Sequence, residues 1–280
     1  MVEEYPGYSV LMSVYKKEDP DFLRQSMQSI YDQTVSVDDF VLVCDGPLTK
    51  KLDEVLDEMQ KKFGERLRIF RQTDNHGLGA TLNFGIQKCK NDLVARMDSD
   101  DISRKDRCEK ELKVLSENSK ISAVGSLVAE FEDSPEDSKS IRKVPEKQED
   151  ILKFVRLRSP MNHPSVMFRK SDILAVGSYP KVRNCQDYYL WEKLLANGYE
   201  LYNIQEPLVY MRENENSFHR RSGMRYFKIQ KKLFKQMRAD GLLSYPQYCS
   251  VITVRFCSAI APNWLRQAMF KKFMREKIEK

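Results

Sequence analysis

Four short apolar runs alternate with segments of helical periodicity along the first hundred residues of the chain. Most residues of the runs are apolar, which is typical of strands that are buried on both faces of a sheet. They cover Tyr8–Tyr15, Phe40–Cys44, Leu67–Gln72 and Leu93–Met97. Strands of this kind, separated by helices, predict an α/β fold with a mostly parallel central sheet that is flanked by helices.

Three segments between these runs repeat their apolar residues at helical spacing. The first follows Asp19 and Pro20, which are typical helix-start residues. The second ends at Gly64, a residue type that commonly follows the last turn of a helix. The third predicted helix contains the segment Leu82 to Lys88. Strands and helices are therefore predicted to alternate as far as residue 97.

Polar side chains follow each predicted strand. Tyr15, Asp45 and Asn75 follow the first three strands, and the segment Asp98–Asp101 follows the fourth. In open α/β sheets ligands bind beyond the carboxyl ends of the strands, so these residues are candidates for the wall of a ligand pocket. Asp and Asn are also common loop residues, and that ordinary role suffices for Asp45 or Asn75 taken alone.

The fourth strand end carries a stronger indication. Within the stretch "LVARMDSDDIS", the residues Asp98, Asp100 and Asp101 form what we call the aspartate cluster. Carboxylates at close range repel one another unless a cation offsets their charge. Mg²⁺ and Mn²⁺ prefer oxygen ligands, and they bind through few protein carboxylates together with substrate phosphates. The cluster therefore predicts a Mn²⁺ or Mg²⁺ site that serves a phosphorylated substrate.

Length and composition place the chain among ordinary globular proteins. Its 280 residues suffice for one large domain or two lobes, and 41% of them are hydrophobic and 31% charged. The acidic first residues do not form a secretory signal, and no apolar stretch reaches the ~20 residues of a membrane span. The six cysteines form no Cys-x-x-Cys pair. We therefore expect a cytoplasmic protein with reduced thiols and neither structural zinc nor a disulfide framework.

Positive charge is concentrated at the end of the chain. Residues 218–280 contain 15 Lys and Arg against three Asp and Glu, a net charge of +12. Since the whole chain carries +6, residues 1–217 carry −6. Residues 220–241 and 261–280 interleave apolar and basic side chains, as basic amphipathic helices do. Such helices either lie on an anionic membrane or pack on the domain and expose their charged face.

Several motifs, in a fixed order, resemble the inverting family 2 glycosyltransferases. They are "SVLMSVYKKE", "CDGPL", "DNHGLGATLNFGIQKCKNDL", "ARMDSDD", "MNHPSVMFRK" and "CQDYYLWEKLLANGYE". The resemblance covers residues 8–223, and the forms "SVYKKE", "DGPL" and "FHRRSG" are similar to the bacterial branch that builds capsular, exopolysaccharide or O-antigen repeat units. It implies the GT-A fold, with residues 1–105 as the nucleotide-sugar-binding half, residues 106–217 as the acceptor-binding half, and residues 218–280 as a basic helical extension.

The resemblance also implies roles for residues in the first half of the chain. Asp45 would contact the nucleotide base, and Tyr15 and Asn75 would line the same pocket. Asp98 would lie near the ribose, and Asp100 would bind the metal ion. Family habit favours UDP as the nucleotide of the donor. The chain has Cys at position 44 where many relatives have Asp, which leaves the assignment of the following Asp intact.

Asp187 is implied as the general base of the second half. Its carboxylate would take the proton from an acceptor hydroxyl as that oxygen attacks the anomeric carbon. The family usually has Glu before this Asp, whereas this chain has Gln186. The alternative is that Asp187 caps the helix that follows it.

The remaining implied contacts concern the acceptor and its phosphate groups. His163 would border the acceptor or the leaving group, although a lone His is more often structural. Arg212, Arg220 and Arg221 would meet phosphate groups of donor or acceptor, since the guanidinium matches phosphate geometry. A lipid-linked glycan acceptor is implied by the bacterial branch. This acceptor favours the membrane alternative for the basic extension, with the protein held peripherally on the cytoplasmic face of the inner membrane.

Two other functions were weighed against this one. A sugar nucleotidyltransferase also combines an α/β sheet with metal-binding aspartates, but it would need a glycine-rich loop after the first strand, and "SVYKKEDP" has no glycine. A nucleic-acid-binding protein would explain the charge of residues 218–280, but no recognisable binding motif accompanies it. We therefore expect a glycosyltransferase that does not bind nucleic acid.

Overall fold

A computed structural model of the chain describes residues 5–182, 184–213 and 223–261, together with the backbone of residues 276 and 277. Within these residues, ten strands form one sheet. In chain order they are β1 (Tyr8–Val14), β2 (Asp39–Cys44), β3 (Leu67–Arg71), β4 (Leu93–Met97), β5 (Ile102–Ser103), β6 (Ile121–Phe131), β7 (Ser140–Arg142), β8 (Met167–Arg169), β9 (Glu200–Arg212) and β10 (Glu276–Lys277).

The described residues also form nine α-helices. They are α1 (Pro20–Tyr31), α2 (Lys50–Phe63), α3 (Leu78–Ile86), α4 (Arg107–Glu117), α5 (Gln148–Phe154), α6 (Lys170–Ala175), α7 (Gln186–Ala196), α8 (Gly223–Ala239) and α9 (Tyr245–Ile260). Asp19, Thr49 and Ser244 begin α1, α2 and α9, where their side chains accept backbone N–H hydrogen bonds of the first turn. The three helices predicted between the first four strands are confirmed.

The strand order shows that the first half of the chain forms a parallel sheet. Its strands pair in the order β4-β1-β2-β3, and each of these pairings is parallel. The second half adds antiparallel strands, because β8 pairs with both β4 and β6, and β7 pairs with β6. Only β9 runs parallel to β6 within this half. The fold is α/β as predicted, and its single sheet joins a parallel half to a mixed half.

Two hydrophobic cores cover the two faces of the sheet. Helices α1, α2 and α4 bury their apolar side chains on one face, and α3, α5, α7 and α8 on the other. Within β1, Val10 and Met12 belong to the first core and Leu11 to the second. Since both faces are covered, consecutive residues of the inner strands are mostly apolar, which produces the runs seen in the sequence; Ser9, Ser13 and Arg96 are exceptions in β1 and β4.

The helices α8 and α9 form a hairpin that packs on α7. Gly241, at φ +80°, reverses the chain between them. Phe234 of α8 is fully buried, and its ring meets Tyr188 of α7 edge-on at a centroid distance of 6.1 Å. The Tyr189 hydroxyl of α7 donates to the carbonyl of Ile229 at 3.4 Å. The apolar stripe of α8 therefore belongs to the core of the domain.

Within residues 223–261 the basic extension forms the two helices α8 and α9. The second predicted amphipathic segment lies outside the described residues, apart from residues 276 and 277. Their backbone pairs with β7 as a strand, so the helix prediction is wrong at these two positions. Across the described ranges, the helices are too short or too polar to cross a membrane.

Candidate active site

The carboxyl ends of β1, β2 and β4 lie at one edge of the sheet. The backbone N–H of Asp45 donates to the Val14 carbonyl at 2.8 Å, so Tyr15 and Asp45 leave neighbouring strands side by side. Strand β4 pairs with β1 on its other side, and it leads directly into the aspartate cluster. The topology thus brings together residues that are up to 86 positions apart in the sequence (Tyr15 and Asp101).

Arg96 holds the first carboxylate of the aspartate cluster. This arginine of β4 is fully buried, and its Nη1 donates to Oδ2 of Asp98 at 2.7 Å, while Nη2 donates to Oδ1. The carbonyl of Asp98 accepts a hydrogen bond from the Ser26 hydroxyl at 2.7 Å. A bidentate, charge-assisted pair fixes both the position and the plane of the carboxylate. The side chain of Asp98, still 32% exposed, is therefore oriented before any ligand binds.

The neighbouring carboxylates repel one another. Burial, and then the charges of Asp98 and Glu18, raise the pKa of Asp100 to about 7. Burial and both cluster carboxylates also raise the pKa of Asp101 well above its usual range. The hydroxyl of Ser99 donates to Glu18, which keeps this fourth carboxylate beside the cluster. A positive charge among these groups would stabilise their ionised forms.

The donor set fits a hard divalent cation. One carboxylate oxygen from each member of the aspartate cluster lies within 4.8 Å of the others. Oδ1 of Asp101 accepts the backbone N–H of Arg212 at 3.0 Å, whereas its buried Oδ2 has no hydrogen-bond partner among the described residues. Oxygen ligands that carry unbalanced negative charge are the environment that Mg²⁺ and Mn²⁺ prefer.

Asp45 organises the loop that follows β3. Its Oδ2 accepts from Nδ2 of Asn75 at 2.9 Å and from the N–H of Gly77 at 3.1 Å, and its Oδ1 accepts from the N–H of His76 at 2.7 Å. Gly77, at φ +84°, then begins α3. This role as a loop anchor was not inferred from the sequence, although the pairing of Asp45 with Asn75 agrees with their placement in one pocket wall. The base contact of Asp45 stays a prediction, as does a ligand contact of Tyr15, whose side chain is partly exposed.

Arg212 ties the end of β9 to the aspartate cluster. Its guanidinium carbon lies 3.7 Å from the ring centroid of Phe22 and 4.6 Å from that of Phe131. Its Nε donates to the carbonyl of Asp100 at 3.3 Å, and its Nη2 donates to Gln25 at 3.0 Å. Burial lowers the pKa of Arg212, but the group stays cationic. Its predicted phosphate contact remains open, and Arg220 and Arg221 lie outside the described residues.

Asp187 is the second residue of α7. Cys185 precedes this helix in the left-handed region, at φ +62°, and turns the chain sharply before Asp187. The Asp187 carboxylate is half-buried and accepts no hydrogen bond from any described residue, so the helix-capping alternative has no support in these contacts. Burial, with the negative charge of Asp187 as a further cause, raises the pKa of the Tyr179 hydroxyl. None of the described residues therefore fixes the Asp187 carboxylate, and its role as general base stays a prediction.

His163 is buried in the protein interior. Its Nε2 is 3.0 Å from the Tyr179 hydroxyl, and its ring meets that of Trp191 edge-on at 6.2 Å. Burial, and then the charge of Arg96, lower the pKa of His163 well below its usual range, so the imidazole is neutral. The predicted acceptor contact of His163 is untested, and the structure gives this residue a buried partner.

Sequence reasoning missed three residues that shape the site. Arg96 and Glu18 lie inside quoted motifs, "ARMDSDD" and "SVYKKE", but they received no role. A charged residue in the middle of an apolar strand was the available signal for Arg96, because a buried charge needs a partner. Nothing in the local sequence of Tyr179 connects it with His163, 16 positions earlier.

Sequence comparison matches residues 9–174 to Glycosyl transferase family 2. The Escherichia coli UDP-Gal:alpha-D-GlcNAc-diphosphoundecaprenol beta-1,3-galactosyltransferase is 38% identical over 275 residues, which cover 98% of this chain and 99% of that protein. The amylovoran biosynthesis glycosyltransferase AmsE of Erwinia amylovora is 30% identical over 265 residues, covering 95% of this chain and 98% of AmsE.

Solved structures share the fold at low sequence identity. The mannosyltransferase PcManGT of Pyrobaculum calidifontis, in complex with GDP-Man and Mn²⁺, superimposes with a TM-score of 0.66 at 15% identity, over 95% of this chain and 73% of PcManGT. S. aureus TarS 1-349 in complex with UDP-GlcNAc gives 0.63 at 13% identity, over 96% and 71% of the two chains. A longer TarS chain is covered over 43% of its length. The chain, with its GT-A fold, belongs to glycosyl transferase family 2.

Proposed function

We propose that this protein transfers a sugar from a UDP-linked donor to a hydroxyl of a lipid-linked glycan, with inversion at the anomeric carbon. The observation that carries the proposal is the partly buried aspartate cluster at the end of β4, held by Arg96 and lying at the same sheet edge as Asp45. Support for the donor and acceptor comes from the Escherichia coli relative, whose name specifies UDP-Gal and GlcNAc-diphosphoundecaprenol. Family membership favours this activity over a sugar nucleotidyltransferase.

The donor site is assigned to the edge formed by β1, β2 and β4. Asp45 contacts the nucleotide base, Tyr15 and Asn75 line the same pocket, and Asp98 lies near the ribose. The bidentate pair with Arg96 keeps the Asp98 carboxylate in one orientation, so little rotamer freedom is lost when a ribose hydroxyl binds. UDP is the proposed nucleotide.

Asp100 is the proposed ligand of a Mn²⁺ or Mg²⁺ ion. Asp101, whose Oδ1 accepts the backbone N–H of Arg212, is proposed to support the metal site without binding the ion. When bound, the ion supplies charge neutralisation to the diphosphate that leaves the sugar. The raised pKa of Asp100 indicates that the protein alone leaves this carboxylate poorly compensated. Either ion would satisfy the oxygen donors of the cluster.

Asp187 is the proposed general base. Its carboxylate accepts the proton of the acceptor hydroxyl while that oxygen forms a bond to the anomeric carbon. The bond between this carbon and the diphosphate oxygen breaks on the opposite face, and the electron pair leaves with the diphosphate. One attack from one face inverts the configuration. The free oxygens of Asp187 are suited to this role because none of the described residues donates a hydrogen bond to them.

The acceptor is proposed to approach from the side of α7 and the basic extension. Arg212, Arg220 and Arg221 are candidates for contacts to its phosphate groups, and His163 supports the floor of the site. A lipid-linked acceptor is presented at a membrane surface, so the protein is proposed to act on the cytoplasmic face of the inner membrane. No role for nucleic acid is proposed.

The surface of the α8–α9 hairpin supports this location. The exposed side chains of α8 include six basic residues: Arg225, Lys228, Lys231, Lys232, Lys235 and Arg238. Arg255 is the one charged residue of α9, and it donates to the Leu157 carbonyl. The α9 side chains Tyr245, Val254 and Ile260 are 63%, 57% and 62% exposed. Apolar side chains next to a basic helix are complementary to an anionic lipid surface.

Calorimetric titration with UDP tests the central proposal. The protein should bind UDP when Mn²⁺ is present, and binding should weaken by at least about tenfold without the ion, since the ion links Asp100 to the diphosphate. The variant Asp100→Asn should lose most of this dependence on Mn²⁺. The matched control is Asp106→Asn, a surface carboxylate paired with Arg104.

The possible results separate the metal assignment, the nucleotide assignment and the proposed function. Retained binding in the control and weakened, Mn²⁺-insensitive binding in Asp100→Asn would support the metal assignment. Binding of GDP or dTDP in place of UDP would overturn the nucleotide assignment alone. Failure of all three nucleotides to bind would overturn the proposed function.

A further inference from the structure

The chain between α6 and α7 passes through a turn with an unusual backbone. Two non-glycine residues of the described chain have positive φ, Ser178 at +58° and Cys185 at +62°, and both lie on this connection. Gly177, at φ +81°, precedes the first of them. Backbone of this kind persists where the surrounding structure holds it, and it is concentrated at functional sites. We call residues 177–180 the Tyr179 turn.

Asn83 of α3 holds the Tyr179 turn through its side chain. Its Nδ2 donates to the carbonyl of Tyr179 at 2.6 Å, and its Oδ1 accepts the N–H of the same residue at 2.9 Å. The hydroxyl of Ser178 also donates to this Oδ1. The amide thus satisfies both backbone groups of one residue, as a neighbouring strand would.

Helix α3 also packs tightly against the Tyr179 turn near its own first residues. A Cβ at Gly79 would lie 3.2 Å from the carbonyl of Pro180 and 3.6 Å from Cβ of Gln186, so the backbone of α3 touches both the turn and the first residue of α7. Asp187 follows directly. The start of α3 is itself fixed by the bonds of Asp45 to residues 75–77. Contacts therefore run from the end of β2, through α3, to the start of α7.

The side chain of Tyr179 is buried against His163, within electrostatic reach of Asp187 and of the Arg96–Asp98 pair. Its ring is 1% exposed, and its hydroxyl is 3.0 Å from Nε2 of the neutral His163. Arg96, Asp187 and Asp98 all act on this hydroxyl electrostatically. The turn thus fixes one uncharged group that the proposed base and the Arg96–Asp98 pair both influence.

We propose that Asn83 and Tyr179 are positioning residues that set the distance between Asp187 and the donor-binding edge. This inference rests on the proposed function, in which Asp187 is the base. Helix α3 belongs to the donor-binding half and α7 to the acceptor-binding half, and Asn83 joins them at the point where the strained turn leads to α7. Transfer between two bound substrates is sensitive to displacements of the base of about 1 Å, so loss of this link should slow the chemical step.

The first test is the variant Asn83→Ala, assayed for sugar transfer and for UDP binding with Mn²⁺. We expect kcat to fall by about 10- to 100-fold, because the base is displaced, while KM for the donor and Kd for UDP change by less than about twofold. Gln87→Ala, an exposed position just after α3, is the control and should keep normal activity. An Asn83→Ala variant with unchanged kcat would overturn the proposal.

A double-variant cycle separates positioning from a general loss of structure. If Asn83 acts through Asp187, then Asn83→Ala should cause little further loss in a background that already carries Asp187→Asn. An equal loss in both backgrounds would overturn the proposal and leave Asn83 a purely structural residue. Full activity of Asp187→Asn alone would overturn the proposed function instead, so the two failures are distinguishable.

The variant Tyr179→Phe provides a test that leaves the fold intact. It keeps the ring and removes the hydroxyl that meets His163. We expect kcat to fall by about 3- to 10-fold with an unchanged Kd for UDP, and the loss should again disappear in the Asp187→Asn background. A change in UDP binding with unchanged kcat would contradict the assignment of Tyr179 as a positioning residue for Asp187.

Discussion

Buried charges beneath β4 determine how the site is built at the scale of single residues. Arg96 pairs with Asp98, and its own carbonyl accepts a hydrogen bond from Nη2 of Arg107 at 2.8 Å. Arg107 in turn donates from Nε to Glu111 at 2.9 Å, and both side chains are fully buried. Two buried arginines thus connect Glu111, through the backbone of β4, with Asp98 of the aspartate cluster.

Removal of one partner from the Arg107–Glu111 pair should be costly. We expect Glu111→Ala to lower the free energy of unfolding by about 3–5 kcal/mol, because an uncompensated guanidinium stays buried. The double variant Arg107→Met with Glu111→Leu should cost less, since it removes both charges and keeps most of the volume. Urea unfolding at pH 8 measures both. A double variant that is less stable than the single one would contradict this account.

Loss of the Asp187 carboxylate should affect chemistry and not binding of the donor. We expect Asp187→Asn to lower kcat by about 10²- to 10⁴-fold, the usual contribution of a general base. The amide cannot accept the proton, although its size and position are nearly unchanged. Sugar transfer to a lipid-linked acceptor measures kcat, and calorimetry with UDP and Mn²⁺ should give an unchanged Kd. A variant with normal transfer would exclude Asp187 as the base.

At the scale of elements, the α8–α9 hairpin shows that one sequence pattern can serve two surfaces. The apolar stripe of α8 packs into the core through Leu233, Phe234 and Met237, and its basic face is exposed. Helix α9 buries only Val251 fully and leaves apolar side chains exposed. Packing on the domain is therefore observed for the apolar face of α8, whereas membrane contact of the exposed faces of the hairpin stays a proposal.

Substitution of the exposed apolar face of α9 should weaken membrane contact. We expect the double variant Val254→Glu with Ile260→Glu to bind vesicles of anionic phospholipid at least about tenfold more weakly, because it removes apolar contacts and adds repelled charges. The matched control is Leu174→Glu on α6, another exposed apolar position outside the hairpin. Cosedimentation with vesicles measures the binding.

Two results of this experiment would contradict the proposal. Equal binding of the double variant and the unsubstituted protein would exclude this face of α9 as the contact. A protein that fails to bind anionic vesicles in any form would exclude peripheral membrane contact through the hairpin, and the transferase proposal would then need an acceptor presented in another way.

At the scale of the whole molecule, α7 couples the hairpin to the catalytic domain. Glu192 of α7 is fully buried, and burial, followed by the nearby Asp240 at the end of α8, raises its pKa to about 8, while Lys193 acts in the opposite direction. The native state therefore favours the protonated carboxyl. In the unfolded chain, the same group ionises near pH 4.5.

Stability should fall as the pH rises through this window. Between about pH 4.5 and pH 8 the unfolded chain releases the proton of Glu192 and the native state retains it, so ionisation favours unfolding. The variant Glu192→Gln does not have this linkage. Its free energy of unfolding, relative to that of the unsubstituted protein, should therefore increase by on the order of 1–4 kcal/mol from pH 5 to pH 8. Urea unfolding at both pH values measures it. A constant difference between the two proteins would contradict the pKa assignment.

Local sequence alone was sufficient for much of the first half of the molecule. Continuous apolar runs and helical spacing predicted β1 to β4 and the helices between them, because burial on both faces of a sheet leaves a direct trace in residue type. The aspartate cluster was visible for a similar reason, since adjacent carboxylates need a compensating charge. The antiparallel strands of the second half left a weaker trace, because β5, β7 and β8 are only two or three residues long.

Tertiary structure decided which of these residues act together. The anchoring of residues 75–77 by Asp45, the stacking of Arg212 between Phe22 and Phe131, and the link from Asn83 to Tyr179 all join positions 30 or more apart in the chain. Such pairs depend on how the strands and helices pack, and local composition carries no record of them. The sequence by itself determined the chemistry available at the sheet edge, and the fold determined its geometry.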